Sequence, residues 1–184
     1  REDPAFGQSW IDWKTAVDKF GADFYDGDND GEYNPVDKVG PDGQPLNDQW
    51  DLWEDHPDLL GDRTAWSVYT DGQPGAQRTR FAGVNPQGIE IRQTTFAFAS
   101  KGALGNIMFF RYRIKNTGLI ADRIDSVLFG VWADPDLGSI SSDDLVGVDV
   151  PRNAGFTYNT LATDPQYGTA QPCFMIDFFL GPKA

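Results

Sequence analysis

The feature that most constrains this sequence is where its acidic residues lie. The 184-residue chain carries a formal charge of −13. Residues 12–62 hold 15 of its 28 acidic residues and only three of its 15 basic ones. Because like charges at close range oppose compaction, so acidic a segment favours cations or basic surfaces as partners. The remainder of the chain is almost neutral, so the acidic segment requires an explanation of its own.

Composition and charge narrow the class of protein. Hydrophobic residues at 40% and aromatic residues at 14% are sufficient for a packed core, which argues against global disorder. The negative charge argues against nucleic acid as a partner, because phosphate binding requires clustered lysine and arginine. No run approaches the roughly 18 apolar residues of a membrane helix, so no membrane insertion is expected. Cys173 is the single cysteine, which fits a cytosolic protein or a surface protein stabilised by metal ions.

The first zone of the chain predicts one helix. Trp10, Trp13, Val17 and Phe20 recur at helical spacing, which indicates a short amphipathic helix over 9–20 that stops at Gly21. The rest of this zone is rich in Asp, Gly and Asn and is predicted to be ordered loop.

Beyond residue 62 the sequence predicts strands. Aromatic and β-branched stretches between turn residues give strands at 64–70, 88–99, 106–116, 126–133, 145–150, 156–160 and 173–180. Within 106–116, Met108 and Phe110 share one face of the strand and Arg111 and Arg113 the other. Within 88–99 the apolar residues switch from one face of the strand to the other near 93–95, which predicts a β-bulge.

These elements predict a mainly β fold. Several short strands with Gly, Asn, Asp and Pro turns are typical of an antiparallel β-sandwich, here jelly-roll-like. The predicted organisation is an acidic, loop-rich segment over 1–62 with one short helix. This segment packs on a sandwich domain over 63–184.

Residues 26–37 carry the most specific motif. They read DGDNDGEYNPVD, which is D-x-D-x-D-G with a further acid at position 12. Alternate residues of a tightly curled loop point inward, and Ca²⁺ takes about six to eight oxygen ligands. The predicted ligands are the side chains of Asp26, Asp28, Asp30 and Asp37 and the main-chain carbonyl of Glu32, with Asn34 directly or through water.

This loop resembles the calcium loops of dockerin modules and EF-hands, with Asp in place of Glu at position 12. Pro35 is unlike the start of a regular exiting helix, so no full helix–loop–helix unit is expected. The alternative is a solvated loop of Asx-turns. It is disfavoured because three converging carboxylates without a cation repel one another.

A second acidic group lies within 134–149. Its members are Asp134, Asp136, Asp143, Asp144 and Asp149, and no basic residue interrupts them. A loop that returns on itself would bring two pairs together at a second calcium site. The alternative is a set of exposed turn residues at a sheet edge. One calcium ion is therefore expected, and two or more remain open.

A third acidic patch lacks the closely alternating Asp spacing of a calcium loop. Its members are Asp48, Asp51, Glu54, Asp55, Asp58 and Asp62. We interpret it as a solvated face, with an extra ion site as the alternative.

Sequence blocks along most of the chain resemble one family. In order they are GADFYDGDNDGEYNP, DHPDLLGDRTAW, GIEIRQTTFAFA, ALGNIMFFRYRIKNTG, FGVWADPDLG, DDLVGVD, GFTYN and IDFFLGP. Over about residues 15–182 the chain resembles calcium-rich, β-rich modules of large secreted and cell-surface proteins from bacteria with type IX secretion. The resemblance implies an extracellular or bacterial cell-surface location and supports the second acidic group as a site. It also implies that the chain is an N-terminal portion of a longer protein.

The sequence offers little for catalysis. His56 is the single histidine, so a serine or cysteine triad must use it. Cys173 lies in an apolar strand pattern and is predicted to be a buried small hydrophobe. Acids for a glycosidase pair are abundant, but Glu90 is the one acid in a strand-like stretch and is predicted to pair with Arg92. No catalytic residue is expected.

Carbohydrate binding is the closer rival to a structural role. Trp10, Trp13, Trp50 and Trp53 lie in the loop-rich zone, where exposed rings could stack on sugars. The favoured interpretation is that they pack the acidic segment against the sandwich, because this zone has few aliphatic residues.

The sequence thus predicts a calcium-stabilised extracellular structural or adhesive module of a bacterial surface protein or extracellular assembly. Its expected partners are other subunits or domains of the same surface protein, with a glycan as the alternative. A non-catalytic carbohydrate-binding module and part of a secreted glycoside hydrolase are the rival functions.

Overall fold

A computed structural model describes residues 4–34, 54–72 and 83–181. In chain order they form helix α1 (Pro4–Phe20) and strands β1 (Phe24–Tyr25), β2 (His56–Pro57), β3 (Arg63–Thr70), β4 (Ile89–Ala97), β5 (Met108–Asn116), β6 (Asp144–Asp149), β7 (Ala154–Asn159) and β8 (Cys173–Asp177). Short 3₁₀ turns lie at Ala103–Asn106, Ser141–Asp143 and Val150–Arg152. Within these residues, no helix has the length and apolar character needed to cross a membrane.

The strands form three antiparallel sheets, which confirms the mainly β prediction. β1 pairs with β2, while β3–β4–β5 and β6–β7–β8 each form a three-stranded sheet in chain order. The described residues divide into two compact units, one within 1–124 and the other within 125–184. The first unit contains helix α1, the β1–β2 pair and the β3–β4–β5 sheet. The predicted domains 1–62 and 63–184 stay a prediction.

Helix α1 is longer than predicted but ends where the sequence indicated. It begins at Pro4, whose fixed φ suits the first turn of a helix. Gly21 follows the helix with φ +71°, a left-handed conformation that glycine adopts without strain. A Cβ at Gly21 would lie 2.6 Å from the Arg92 guanidinium, so the end of the helix packs directly on a strand residue.

The β3–β4–β5 sheet has an uninterrupted register, so the predicted β-bulge near 93–95 is wrong. Its pairs run from Arg63–Ala97 to Thr70–Glu90 and from Ile89–Asn116 to Ala97–Met108 with no extra residue. The apolar residues of β4 switch faces along the strand because both faces of the sheet carry apolar side chains. Phe96 packs on Phe109 on one face, with ring centroids 5.0 Å apart, whereas Ile91 lies on the other.

The two faces of this sheet differ in chemistry. The arginine face carries Arg92, Arg111 and Arg113 together with Trp66. Trp13 of helix α1 meets Trp66 edge-on, with ring centroids 6.4 Å apart, which places the helix on the arginine face. The opposite face is named the open face, and its exposed side chains include Tyr69, Met108, Phe110 and Ile114.

Ion pairs join the acidic segment to the arginine face. Arg111 donates to Asp23 at 3.1 Å and to Asp58 at 2.8 Å, and Arg113 also pairs with Asp23. Arg92 donates to the Gly21 carbonyl at 3.0 Å. Strand arginines therefore neutralise part of the charge that the sequence concentrates in 12–62.

In the second unit, three of the four predicted strands form. The strands predicted at 145–150, 156–160 and 173–180 correspond to β6, β7 and β8 with shifted ends. The strand predicted at 126–133 is wrong, because this stretch joins no sheet in the described chain. Ser126 has φ +58°, which interrupts extended backbone, and Leu128 is 96% exposed. Strand propensity alone does not supply the neighbouring strand that a ladder needs.

The β6–β7–β8 sheet carries an apolar groove of about 270 Å³ on one face. Its lining includes Val131, Ala133, Val146, Val148, Phe174 and Ile176. Val146 and Val148 are 81% and 75% exposed. This face therefore presents apolar surface that a partner would bury favourably.

Gly21→Ala is expected to destabilise the protein by about 1–2 kcal/mol through its strained positive φ. A further loss is expected because the added Cβ displaces the Arg92 guanidinium from the Gly21 carbonyl. Gly118→Ala is the matched control. Its φ is +74° and no atom of the described residues lies within 4 Å of an added Cβ, so only strain of about 1 kcal/mol applies. Denaturant unfolding measures both losses, and equal losses would contradict the packing of Arg92 on the helix end.

Candidate metal site

Three carboxylates of the predicted calcium loop converge. Asp26, Asp28 and Asp30 each offer an oxygen, and these atoms all lie within 4.8 Å of one another. Oxygens on opposite sides of one Ca²⁺ ion, each about 2.4 Å from it, lie about 4.8 Å apart. The spacing of the three oxygens therefore fits a single calcium ion.

The loop curls because each carboxylate binds backbone N–H groups further along it. Asp26 Oδ2 accepts from the N–H of Gly31 at 3.0 Å, and Asp28 Oδ1 accepts from that of Asp30 at 3.1 Å. Asp30 Oδ1 accepts from the N–H of Glu32 at 2.7 Å. Gly31 has φ +83°, which explains why glycine occupies this position of the motif.

The electrostatics of the loop favour a cation. The N–H of Asp30 acts to lower the pKa of Asp28. Desolvation and three neighbouring carboxylates, those of Asp30, Asp55 and Asp26, prevail and raise this pKa above its ordinary value. Asp26 Oδ1 is buried and has no hydrogen-bond partner among the described residues. A buried acceptor oxygen without a donor is costly, and a bound cation would satisfy it.

The other predicted ligands differ in what the structure describes. The Glu32 side chain is exposed, and the predicted role of its main-chain carbonyl stays a prediction. The Asn34 side-chain amide donates to Asp30 Oδ2 at 3.1 Å, so Asn34 lies beside the site. Asp37 falls outside the described residues, and its predicted role stays a prediction.

Asp55 organises the loop, although sequence reasoning missed it. Its Oδ1 accepts from the N–H of Gly27 at 2.8 Å, and its Oδ2 accepts from the N–H of Asn34 at 3.0 Å. Asp55 is only 6% exposed. The one signal in the sequence was its membership of the third acidic patch, and that patch has no metal-ligand spacing. Asp55 thus ties both ends of the loop together from a distant part of the chain.

The exit of the loop is anchored by aromatic packing and by helix α1. Tyr33 is 1% exposed, and its ring centroid lies 5.3 Å from that of Phe24. Burial, and to a lesser degree the charge of Asp55, raises the pKa of Tyr33, which keeps its phenol neutral. Lys14 Nζ donates to the Tyr33 carbonyl at 2.8 Å.

The third acidic patch is solvated only in part among its described members, because Asp62 is exposed whereas Glu54 and Asp55 are buried. Asp58 pairs with Arg111. Asp62 Oδ2 accepts from the N–H of Ala99 at 2.7 Å. Asp55 and Asp62 thus accept hydrogen bonds from backbone N–H groups, and Asp58 is an ion-pair partner. Asp48 and Asp51 fall outside the described residues.

The second acidic group separates into different environments. The Asn159 amide nitrogen lies 3.3 Å from Asp143 Oδ1 and 3.4 Å from Asp144 Oδ1. Asp149 pairs with Arg152 at 2.5 Å, just outside the stretch that lacks basic residues. Asp134 and Asp136 are exposed. Over 4–34, 54–72 and 83–181, the one group of three converging acids is Asp26, Asp28 and Asp30, so the second calcium site stays a prediction.

Asp164 organises the region around the second acidic group and was also missed. It is 5% exposed, and its Oδ2 accepts from the N–H of Ser139 at 2.8 Å. Its Oδ1 accepts from the N–H groups of Gln166 and Tyr167 at 2.7 and 2.9 Å. The Ser139 N–H, aided by those of Tyr167 and Gln166, outweighs desolvation and lowers the pKa of Asp164.

Residues considered for catalysis or sugar stacking have structural contacts. Glu90 pairs with Arg92 at 2.9 Å, as predicted. The His56 ring stacks on Tyr25 with centroids 4.6 Å apart. Trp13 packs on the sheet as predicted, whereas Trp50 and Trp53 fall outside the described residues. The prediction that Cys173 is buried is wrong, because it is exposed on β8, where the apolar strand pattern does not correspond to a covered face.

Comparisons of the chain with models of protein families, with curated proteins and with solved structures give no match. The inference about function therefore depends on the geometry of the site.

Asp164→Asn is expected to destabilise the protein at neutral pH, because an amide accepts fewer N–H bonds than the carboxylate. A lowered folded-state pKa gives stability that is present above about pH 4 and is lost as the pH falls through that pKa. The difference in unfolding free energy between parent and variant should therefore shrink on acidification. Asp122→Asn, at an exposed position, is the control. A difference that stays constant from pH 7 to pH 3 would contradict this role.

Proposed function

We propose that this chain is a calcium-stabilised extracellular structural or adhesive module of a bacterial surface protein or extracellular assembly. The observation that carries the proposal is the convergence of Asp26, Asp28 and Asp30, with oxygens within 4.8 Å of one another. The buried Asp26 Oδ1, which lacks a hydrogen-bond partner among the described residues, supports the same interpretation.

The mechanism is folding linked to ion binding. Without a cation the loop carboxylates repel one another, and Ca²⁺ binds the folded loop better than the unfolded chain. The gain in stability is RT ln(1 + [L]/Kd), which is about 1.4 kcal/mol when calcium is at ten times its Kd. Extracellular sites with Kd of about 10⁻⁴–10⁻³ M fill at millimolar calcium, which suits the proposed location. The resemblance to modules of type IX secretion bacteria supports that location as well.

The exposed apolar sheet faces support a role in assembly. Phe110 on the open face is 51% exposed, and Val146 beside the apolar groove is 81% exposed. A sheet normally buries one face against a second layer, so we propose the antiparallel β-sandwich that the sequence predicts as the complete fold. We further propose that other subunits or domains of the same surface protein cover the apolar surface that remains.

A glycan-binding module is the second candidate, and one observation favours it. On the open face, the rings of Phe110 and Tyr112 are nearly parallel, with an interplanar angle of 8° and centroids 6.3 Å apart. Tyr69 on the same face donates to Gln93 at 3.2 Å. Flat aromatic rings beside amide and hydroxyl groups suit the apolar faces and hydroxyls of a sugar. A glycoside hydrolase is the third candidate, and no catalytic residue is assigned to it.

Asp28→Asn separates calcium binding from general damage to the fold. In calcium-free buffer the variant should keep or raise the Tm, because one of the repelling charges is gone while the acceptor for the Asp30 N–H remains. Calcium should raise the Tm of the parent by roughly 3–6 °C at ten times its Kd and leave the variant unchanged. Thermal unfolding with and without chelator measures both effects.

Asp18→Asn is the matched control, since it removes the same charge from the exposed Lys14–Asp18 pair of helix α1. It should keep the full calcium shift. If chelation does not change the Tm of the parent, the calcium mechanism is wrong. If calcium raises the Tm of Asp28→Asn as much as that of the parent, the assignment of the ion to this loop is wrong.

Glycan binding is tested by affinity electrophoresis in gels that contain polysaccharides. If the open face binds a glycan, Phe110→Ala should weaken retardation about tenfold, which corresponds to about 1.4 kcal/mol. Tyr167→Ala, at a 45% exposed aromatic position outside the sheets, is the control. Absence of retardation of the parent by any polysaccharide in the panel would exclude this second candidate in favour of the structural role.

A further inference from the structure

Asp55 joins the two ends of the loop and does not belong to the group of converging carboxylates. Its two oxygens accept from the N–H groups of Gly27 and Asn34, at 2.8 and 3.0 Å. Because both oxygens are engaged by backbone donors, Asp55 affects the site through the shape of the loop. Because Asp55 is only 6% exposed, water cannot easily take the place of these two N–H donors if the loop opens.

The chain that follows Asp55 connects the loop to the arginine face. In the β1–β2 pair, Tyr25 lies opposite His56 and Phe24 opposite Pro57. The next residue, Asp58, donates its N–H to the Asp23 carbonyl at 3.3 Å. The side chains of Asp23 and Asp58 both accept from Arg111 of β5, at 3.1 and 2.8 Å. A continuous set of contacts therefore runs from the loop to a strand of the sheet.

Helix α1 also contacts the backbone on both sides of the three loop carboxylates. Lys14 Nζ donates to the Tyr33 carbonyl at the exit of the loop, at 2.8 Å. Trp13 Nε1 donates to the Asp23 carbonyl at 3.0 Å, and the Trp13 ring meets Trp66 on the sheet. The position of the helix thus depends on the backbone at both edges of the loop.

We propose that Asp55 is a positioning residue of the calcium loop, through which ion binding holds helix α1 and the β1–β2 pair on the arginine face of the sheet. This inference rests on the proposed calcium function and adds a regulated element to it. With calcium bound, the loop keeps Gly27 and Asn34 where Asp55 can bind both. Without calcium, repulsion among the loop carboxylates separates these donors, and the helix loses the Tyr33 carbonyl as an anchor. Because most of the stability of a helix in a protein comes from tertiary packing, an undocked α1 exposes its amides to exchange.

The test is amide hydrogen exchange of the whole chain, with calcium binding measured by titration calorimetry on the same samples. In the parent, chelation should speed exchange of the α1 and β1–β2 amides by about tenfold or more. In Asp55→Asn, the side-chain NH2 group faces one of the two backbone N–H donors and cannot accept from it. The variant should still bind calcium, but more weakly than the parent does. Its α1 amides should exchange rapidly both with calcium and with chelator. Glu32→Gln removes one negative charge from the loop at an exposed side chain. It should weaken binding but keep calcium-dependent protection of α1.

The outcomes distinguish this inference from the proposed function. A parent that binds no calcium overturns both. A parent that binds calcium without a change in α1 exchange overturns only the coupling. Calcium-dependent protection of α1 in Asp55→Asn equal to that in Glu32→Gln overturns the assignment to Asp55.

If Asp55→Asn does not fold, Lys14→Met tests whether calcium binding is coupled to the docking of helix α1. This variant leaves Asp55 and the loop intact but removes the bond from the helix to the Tyr33 carbonyl. It should bind calcium and protect the β1–β2 pair while α1 exchanges rapidly. Protection of α1 equal to that of the parent would overturn the coupling.

Discussion

The convergence of Asp26, Asp28 and Asp30 in one tight loop is the constraint on which the proposed calcium site depends. Backbone N–H groups hold the three carboxylates with oxygens within 4.8 Å, and buried Asp55 adds a fourth negative charge beside them. The raised pKa of Asp28 is the electrostatic sign of this crowding. A hard cation converts the repulsion into attraction, because each carboxylate then becomes a ligand.

The acidic segment is neutralised in two different ways. Asp23 and Asp58 pair with arginines of the β3–β4–β5 sheet, so that part of the charge is balanced within the fold. The three loop carboxylates have one another as neighbours, and we propose that an ion from solution balances them. Helix α1 docks on the face of this sheet that carries the arginines and Trp66, and the exposed apolar side chains of the opposite face form the surface proposed for assembly.

The sequence predicted those parts of the structure that depend on local spacing. The D-x-D-x-D-G motif predicted that Asp26, Asp28 and Asp30 converge, because a tight loop brings alternate residues to the same side. Asp55 was missed because its bond to Gly27 spans 28 residues and no local pattern encodes it. The stretch 126–133 has strand-like composition but no partner strand in the described chain, and the proposed bulge arose from a sheet with apolar groups on both faces. These errors share one cause: pairing and coverage are decided between distant segments.

A crystal structure of the protein grown in millimolar calcium tests the central claim most directly. We expect an ion with oxygen ligands at about 2.3–2.6 Å, contributed by Asp26, Asp28, Asp30 and the Glu32 carbonyl, and anomalous scattering that identifies it as calcium. A loop of the same shape that holds only water among these carboxylates, in a crystal saturated with calcium, would contradict the account.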